Sequence, residues 1–286
     1  MLYPVKCHLK QLCFILFLGA LTNYCYADIQ LRFGLYTSDK PSDLIKKFQP
    51  LIDLIEQRLT QQLKQTVAIK IFISPSYLKG IHQLTESNVD FMRMGPASYI
   101  IAHNANPEIE ILAAESKNGE KTFKGVISVK QNSTIYSIAA LKGKSFAFGN
   151  KNSTIGRYLS QRYLVKHGIY AKDLATYKYW GRHDRVGSAV ALGLADAGAL
   201  KFSTYKELLK KGAPLRKLAE FNNITKPWVA SATLNTSIKA ALKKILLNIK
   251  DRQVLKRLKK DGFLPATDSD YDPIRIAIEQ NSEFFN

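Results

Sequence analysis

Hydroxyls, glycines and backbone amides recur at three places where a strand-like segment runs into a helix-like one. These are Thr37-Ser38-Asp39-Lys40-Pro41, Arg93-Met94-Gly95-Pro96-Ala97-Ser98-Tyr99 and Asn152-Ser153-Thr154-Ile155-Gly156-Arg157. A helix N-terminus exposes N–H groups that have no partner within the helix, and it carries about half a positive charge, so it receives anions. Gly95 and Gly156 let the backbone approach a ligand closely. Taken singly, each junction is also explained by helix capping, the ordinary use of Ser and Thr there. Three in one chain are more informative. A fourth junction, Gly181-Arg182-His183-Asp184, adds an imidazole. His183 either donates to a ligand oxygen or steadies the local turn. Asp184 reads as an acid placed at a helix start.

These junctions need strands and helices to hold them. Ile29 to Tyr36 alternates in strand fashion, and Leu44, Ile45, Phe48, Leu51, Ile52, Ile55 and Leu59 follow at helical spacing, with Pro50 expected to kink or restart that helix. Strands are expected at Val67–Ile73, Val89–Met92, Ile109–Ala113, Phe123–Val129, Ser145–Phe148, Tyr177–Trp180 and Asp196–Leu200. Helices are expected at Tyr77–Leu84, from Pro96, at Thr154–His167 and at Asp184–Leu192. This alternation argues for an α/β chain with mainly parallel sheets. Lys117-Asn118-Gly119-Glu120-Lys121 and Glu220-Phe221-Asn222-Asn223 read as linkers around a middle segment.

Enzyme signatures are absent: there is no G-x-S-x-G elbow, Walker loop, dinucleotide glycine fingerprint or H-E-x-x-H. The chain has 286 residues, with 42 Lys+Arg against 23 Asp+Glu, a formal charge of +19 and three cysteines. The charge suggests an acidic partner without choosing one. Lys6 and Lys10, an apolar run from Leu12 to Leu21 and then Asn23-Tyr24-Cys25-Tyr26-Ala27 have the layout of a secretory signal cut after Ala27. All three cysteines, Cys7, Cys13 and Cys25, fall inside it. The mature chain is therefore expected to hold no disulfide, no thiol nucleophile and no cysteine-bound zinc. Losing the two lysines takes the charge from +19 to +17. His82, His103, His167 and His183 lack metal-ligand spacing, and neither a metal nor a cofactor is expected.

Several segments together resemble the phosphate/phosphite/phosphonate-binding periplasmic proteins of ABC importers. They are Gly34-Leu35-Tyr36-Thr37-Ser38-Asp39-Lys40-Pro41, Asp90-Phe91-Met92-Arg93-Met94-Gly95-Pro96-Ala97-Ser98-Tyr99, Phe148-Gly149-Asn150-Lys151-Asn152-Ser153-Thr154-Ile155-Gly156, Gly181-Arg182-His183-Asp184, Thr225-Lys226-Pro227-Trp228 and Asp261-Gly262-Phe263-Leu264-Pro265. The resemblance implies a two-lobed type II periplasmic-binding-protein fold. Each lobe is then a mainly parallel sheet flanked by helices, with a hinge of two crossover segments. The expected division is a signal at 1–27, the first lobe at 28–118, the second at 119–221, and the first lobe's return with C-terminal helices at 222–286. The resemblance also implies that Ser153, Thr154 and His183 hold the oxyanion, with Tyr77, Ser98, Tyr99, Thr37, Ser38 and Gly156 also at the ligand. Tyr36, Arg93 and Asp184 are further candidates, and Lys40, Arg157 and Arg182 are further cations. Binders of aminoalkylphosphonates carry acids where this chain has Ser203 and the Thr225-Lys226 region, which favours a ligand without an amine.

The implied function is non-enzymatic capture of a phosphorus oxyanion in the periplasm and delivery to an ABC permease by a monomer, with no nucleic acid and no membrane insertion. The alternative is a sensor using the same lobes, which would act in trans. Between Lys239 and Lys260 there are nine Lys/Arg and one Asp, and Ile238, Leu242, Ile245, Leu246 and Ile249 lay an apolar stripe on the same helix. Its lysines read either as a solvated face or as a docking or anionic-membrane surface.

Overall fold

Ile29 to Tyr36 forms β1 (Ile29–Tyr36) in the computed structural model, which describes residues 28–37 and 40–286. The expected leader, its cut after Ala27, and Ser38 lie outside the described residues. Pro41 opens α1 (Pro41–Leu63), where its missing N–H costs nothing. Leu44, Phe48, Leu51, Ile52, Ile55 and Leu59 are that helix's buried face, while Ile45 is 46% exposed. The helix runs on through Pro50 without the expected restart. Burial of Phe48, Leu51 and Ile52 around it outweighs the one bond that proline forgoes.

The first half continues as β2 (Val67–Ser74), α2 (Tyr77–Thr85), β3 (Phe91–Arg93), α3 (Pro96–Ala105) and β4 (Glu110–Ser116). After a turn pairing Lys117 with Glu120 come β5 (Thr122–Lys130) and β6 (Ser145–Phe148). A single π-helical turn (Thr154–Tyr158) leads into α4 (Leu159–Lys166), followed by β7 (Thr176–Tyr179), α5 (His183–Ala191) and β8 (Ala197–Lys201). Then come α6 (Phe202–Lys210), β9 (Leu215–Ile224), β10 (Pro227–Ala230), α7 (Thr236–Leu247) and α8 (Arg252–Leu258). β11 (Gly262–Leu264), α9 (Asp272–Glu279) and a 3-10 segment (Gln280–Phe285) complete the described chain.

The strands form two sheets, ordered β11-β4-β10-β3-β1-β2 and β7-β6-β8-β5-β9. β1 pairs parallel with β2 and β3, and β6 pairs parallel with β7 and β8. β10, β11, β5 and β9 pair antiparallel, so the sheets are mixed rather than mainly parallel. The cause is the chain's excursion between sheets. It leaves along β4, returns along β9 beside β5, and threads β10 back between β3 and β4. Glu220 to Asn223, read from polarity as a linker, lie inside β9 because β5 supplies their partners (Asn223 opposite Phe123, Glu220 opposite Val126). The second crossover is instead Thr225-Lys226. It is tied to the first: Thr225 N donates to Lys121 O at 2.8 Å, and Glu115 N donates to Lys226 O at 3.1 Å.

Each sheet has its own core. In the first, Phe33 stacks on Trp228 with ring centroids 4.7 Å apart, and Phe48, Phe91 and Phe263 close around the indole. In the second, Phe146 and Phe148 pack together, and Phe284 joins them from the far end of the chain. Of the stretch 222–286, read as the first lobe's return with C-terminal helices, Phe284 packs in the second sheet's core. The basic stretch is two helices rather than one, because Asp251 caps α8 by accepting from Gln253 N and Val254 N, both at 2.9 Å. Asp251→Ala should cost about 1 kcal/mol, a fall of ~2–4 °C in melting temperature. A thermal melt with no change would contradict the cap. Lys239 pairs with Glu110 at 2.6 Å, and Lys260 pairs with Glu115 at 3.1 Å.

Candidate functional site

In open α/β sheets ligands sit beyond the carboxyl ends of parallel strands. Here those ends face one another. β2 and β3 deliver Tyr77, Gly95 and Pro96 from the first lobe. β6 and β7 deliver Ser153, Thr154, Ile155 and His183 from the second. Phe123, Lys201, Asn223 and Lys226 complete the lining of a narrow cleft with about 20 Å³ of water-accessible volume.

The π-turn sets the geometry on the second-lobe side. Ser153 is its N-cap, and Ser153 Oγ accepts from Gly156 N at 3.0 Å. Thr154 Oγ1 accepts from Ala97 N, across the cleft, at 2.9 Å. Each hydroxyl thus receives a proton from a backbone amide, and its own O–H is available to donate. Accepting one hydrogen bond strengthens the next one donated. Amides at the start of a helical turn have no partner within it, which adds Thr154 N and Ile155 N to the donors at this end. His183 is the first residue of α5 and is buried. An imidazole there adds a ring donor.

On the first-lobe side, Tyr36 ends β1 and is buried. Its hydroxyl accepts from Gly95 N at 2.5 Å and donates to Ser98 Oγ at 3.1 Å. Burial pushes its pKa up and outweighs its contacts with Ser98, the Gly95 amide and the Arg93 charge, which pull it down, so the phenol stays protonated. Its ring lies 4.2 Å from that of Tyr77, centroid to centroid. Ser98 in turn donates to Asn152 O at 3.3 Å. The two lobes therefore touch directly, and Ala97, Tyr158, Ile274 and Ala277 form an apolar cluster at the contact.

Other expected residues lie elsewhere. Thr37 donates to Pro75 O at 2.6 Å and pins its loop to the start of α2. Tyr99 is rotated about 100° around α3 from Ser98. It donates to Asp268 at 2.8 Å and packs edge-on against Tyr271, away from the cleft. Arg93 is engaged by buried Glu115 and lies over the Phe48 ring, in the first lobe's core. Asp184 gives both oxygens to Arg182, at 3.0 and 2.9 Å. Gly156 serves packing: a Cβ there would lie 2.7 Å from Gly149 Cα, and its N–H is used by Ser153. Arg157 donates to Lys151 O, Lys40 is exposed, and Ser203 is exposed on α6. No group of three His, Cys, Asp or Glu among the described residues could hold a metal ion. No helix among them is long and apolar enough to cross a membrane.

A family model described as "ABC transporter, phosphonate, periplasmic substrate-binding protein" matches residues 33–271. The chain belongs to this family. As a member of the phosphonate-binding family it is a periplasmic substrate-binding protein of an ABC transporter. It is 26% identical over 266 residues to a probable ABC transporter phosphite binding protein, PhnD1, of Prochlorococcus marinus, covering 85% of this chain and 87% of that one. It is 23% identical over 271 residues to the phosphate-import protein PhnD of Mycolicibacterium smegmatis, covering 83% and 81%. The fold matches a structure of Prochlorococcus marinus PhnD1 in complex with methylphosphonate, with a TM-score of 0.78 at 24% identity, covering 89% of this chain and 98% of that one.

Three cleft residues escaped sequence reasoning as ligand groups. Lys201 ends β8, so its place at a strand's carboxyl end was a usable signal. Lys226 stands beside Pro227, in one of the segments that carried the resemblance. Asn223 was hidden because its polar neighbours read as linker.

Proposed function

We propose that this chain captures a phosphorus oxyanion, that is phosphate, phosphite or an alkylphosphonate, between its lobes and passes it to the permease of an ABC importer. In this reading it works as a monomer without catalysing a reaction, after a leader ending at Ala27 is removed. The chain changes lobe at 117–121 and 225–226. The observation that carries the reading is the pair of cleft hydroxyls, Ser153 and Thr154, each accepting from a backbone amide and so turned to donate. Such a pair suits a ligand rich in acceptor oxygens. His183 and the start of the π-turn add donors at the same end, and Tyr77 closes the first-lobe side.

Each hydrogen bond to a charged oxygen contributes about 1.5–3 kcal/mol. Four to six such bonds outweigh the anion's desolvation and give micromolar or tighter binding. Lobe closure buries the ligand and presents both lobes to the permease. Titration calorimetry of the ligand-stripped protein with phosphate, phosphite and methylphosphonate should give a Kd of roughly 10 μM or less for at least one of them. No heat and no thermal protection with any of the three would refute the reading.

A further inference from the structure

The basic stretch of the sequence takes no part in the cleft. α7 and α8 bury Leu242, Leu246, Leu255 and Leu258 in the same core as α1. Lys243, Lys244, Lys250, Arg252, Lys256 and Arg257 are left on the outside, all exposed. Lys239, Lys259 and Lys260 of the same stretch pair with Glu110, Glu207 and Glu115. No carboxylate among the described residues pairs with the six outer cations. The one acid between them, Asp251, accepts from Gln253 N and Val254 N as the cap of α8. Arg58 of α1 reaches the turn between the two helices, donating to Asn248 O at 3.3 Å.

A face that serves only solubility intersperses acids with bases, whereas a field of one sign repels itself and is kept where it meets a partner of opposite charge. The partner's texture follows from what the face lacks. None of the large exposed apolar side chains among the described residues falls between Thr236 and Lys260. Protein interfaces have an apolar or aromatic centre, and a second copy of this chain would bring the same charge. A headgroup layer asks only for cations. We propose that the outer face of α7 and α8 docks on a bilayer of anionic phospholipid, its ammonium and guanidinium groups meeting headgroup phosphates without insertion. A substrate-binding protein of an ABC transporter serves a permease held in a membrane, and adsorption raises its concentration there. Tyr77, which lines the cleft, packs in a different apolar cluster from the one beneath α7 and α8, so the docked face and the cleft do not coincide.

The test is cosedimentation of the mature protein with vesicles of phosphatidylcholine, alone or with about one-third phosphatidylglycerol. Binding should need the anionic lipid and weaken at least about tenfold between roughly 0.05 M and roughly 0.5 M salt. Each cation near such a surface strengthens attachment about fivefold, so Lys243→Gln, Lys244→Gln, Lys256→Gln and Arg257→Gln together should weaken it by at least about tenfold at low salt. Removing the same charge from the second lobe, at the exposed Lys142, Lys144, Lys166 and Lys210, should change it less than about threefold. Both variants should melt where the parent does, and the comparison of lipids and salts needs neither of them. Failure of the parent to bind phosphatidylglycerol vesicles, or an equal loss in the two variants, would overturn the proposal. Attachment that appears only when the vesicles carry the permease would overturn it too, and would assign the face to a protein.

Discussion

Glu115→Ala is expected to lower the stability of this protein by about 3–5 kcal/mol, the cost of leaving buried charge uncompensated. At this chain length the melting temperature should fall by roughly 6–20 °C. Glu115 is 1% exposed at the end of β4. Arg93 grips both of its oxygens, Lys260 lies 3.1 Å from Oε2, and Trp228 Nε1 reaches Oε1 at 3.5 Å. Its backbone N–H meets Lys226 O, so the same residue ties the end of β4 to the second crossover. Burial alone would raise its pKa. The charges of Arg93 and Lys260, the hydrogen bond from Arg93 and then the charge of Lys47 more than reverse this, and hold it well below the ordinary 4.5.

The linkage has a definite sign. A carboxylate with a depressed folded-state pKa contributes stability that is fully present above 4.5 and is lost as pH falls below that value. The parent should therefore lose stability steeply in acid, and Glu115→Gln should show a flatter curve there. Replacing Glu115 together with its main partner, as in Arg93→Met with Glu115→Met, should cost less than Glu115→Ala alone, because only Lys260 and no longer Arg93 is left without its carboxylate. Denaturant melts between about pH 3 and pH 7 read all three variants. A Glu115→Ala protein as stable as its parent would show that the network is not holding the hinge region.

The largest expected effect on binding is that of Ser153→Ala combined with Thr154→Ala. Two charge-assisted hydrogen bonds are lost, about 3–6 kcal/mol in total, or on the order of 100-fold or more in Kd. Part of the loss comes from elsewhere than the ligand. Without Thr154 Oγ1, Ala97 N loses its partner across the cleft, and without Ser153 Oγ the N-cap of the π-turn is gone. Thr154→Val keeps the side-chain shape and isolates the hydroxyl, so its effect should be smaller than that of the double variant. Calorimetry with whichever phosphorus oxyanion binds the parent measures both. An affinity within about twofold of the parent's in the double variant would remove these hydroxyls from the site.

The α/β alternation was legible because strand and helix periods are strong where one face is buried. β1 has the expected bounds, and Pro41 opens α1 as expected. β9 was not legible, because its polar residues owe their strand geometry to β5 and not to their own pattern. The direction of β10 depends on where the chain re-enters the first sheet, which no local window records. Within the site, the junction residues Ser153, Thr154 and His183 and the α2-start residue Tyr77 lie in the cleft. Tyr99 shows the limit of motif reading, since one step along a helix separates Ser98, which meets Asn152 of the other lobe, from a residue facing Asp268. Arg93 shows another, because a buried acid elsewhere in the chain claimed it.

α9 and the 3-10 segment after it bear on how fast ligand comes and goes. α9 lies on α3 in the first lobe and on the π-turn in the second, and Phe284 is seated beside Phe148. The lobes are thus joined by a strap as well as by the two crossovers, and parting them exposes apolar surface that must later be reburied. Exchange then follows the frequency of opening rather than of collision. The observed association rate should reach a ceiling as ligand concentration rises, set by a motion of microseconds to milliseconds. Release follows the same motion, so a permease that pulls on either lobe would shorten the time a captured ion stays bound.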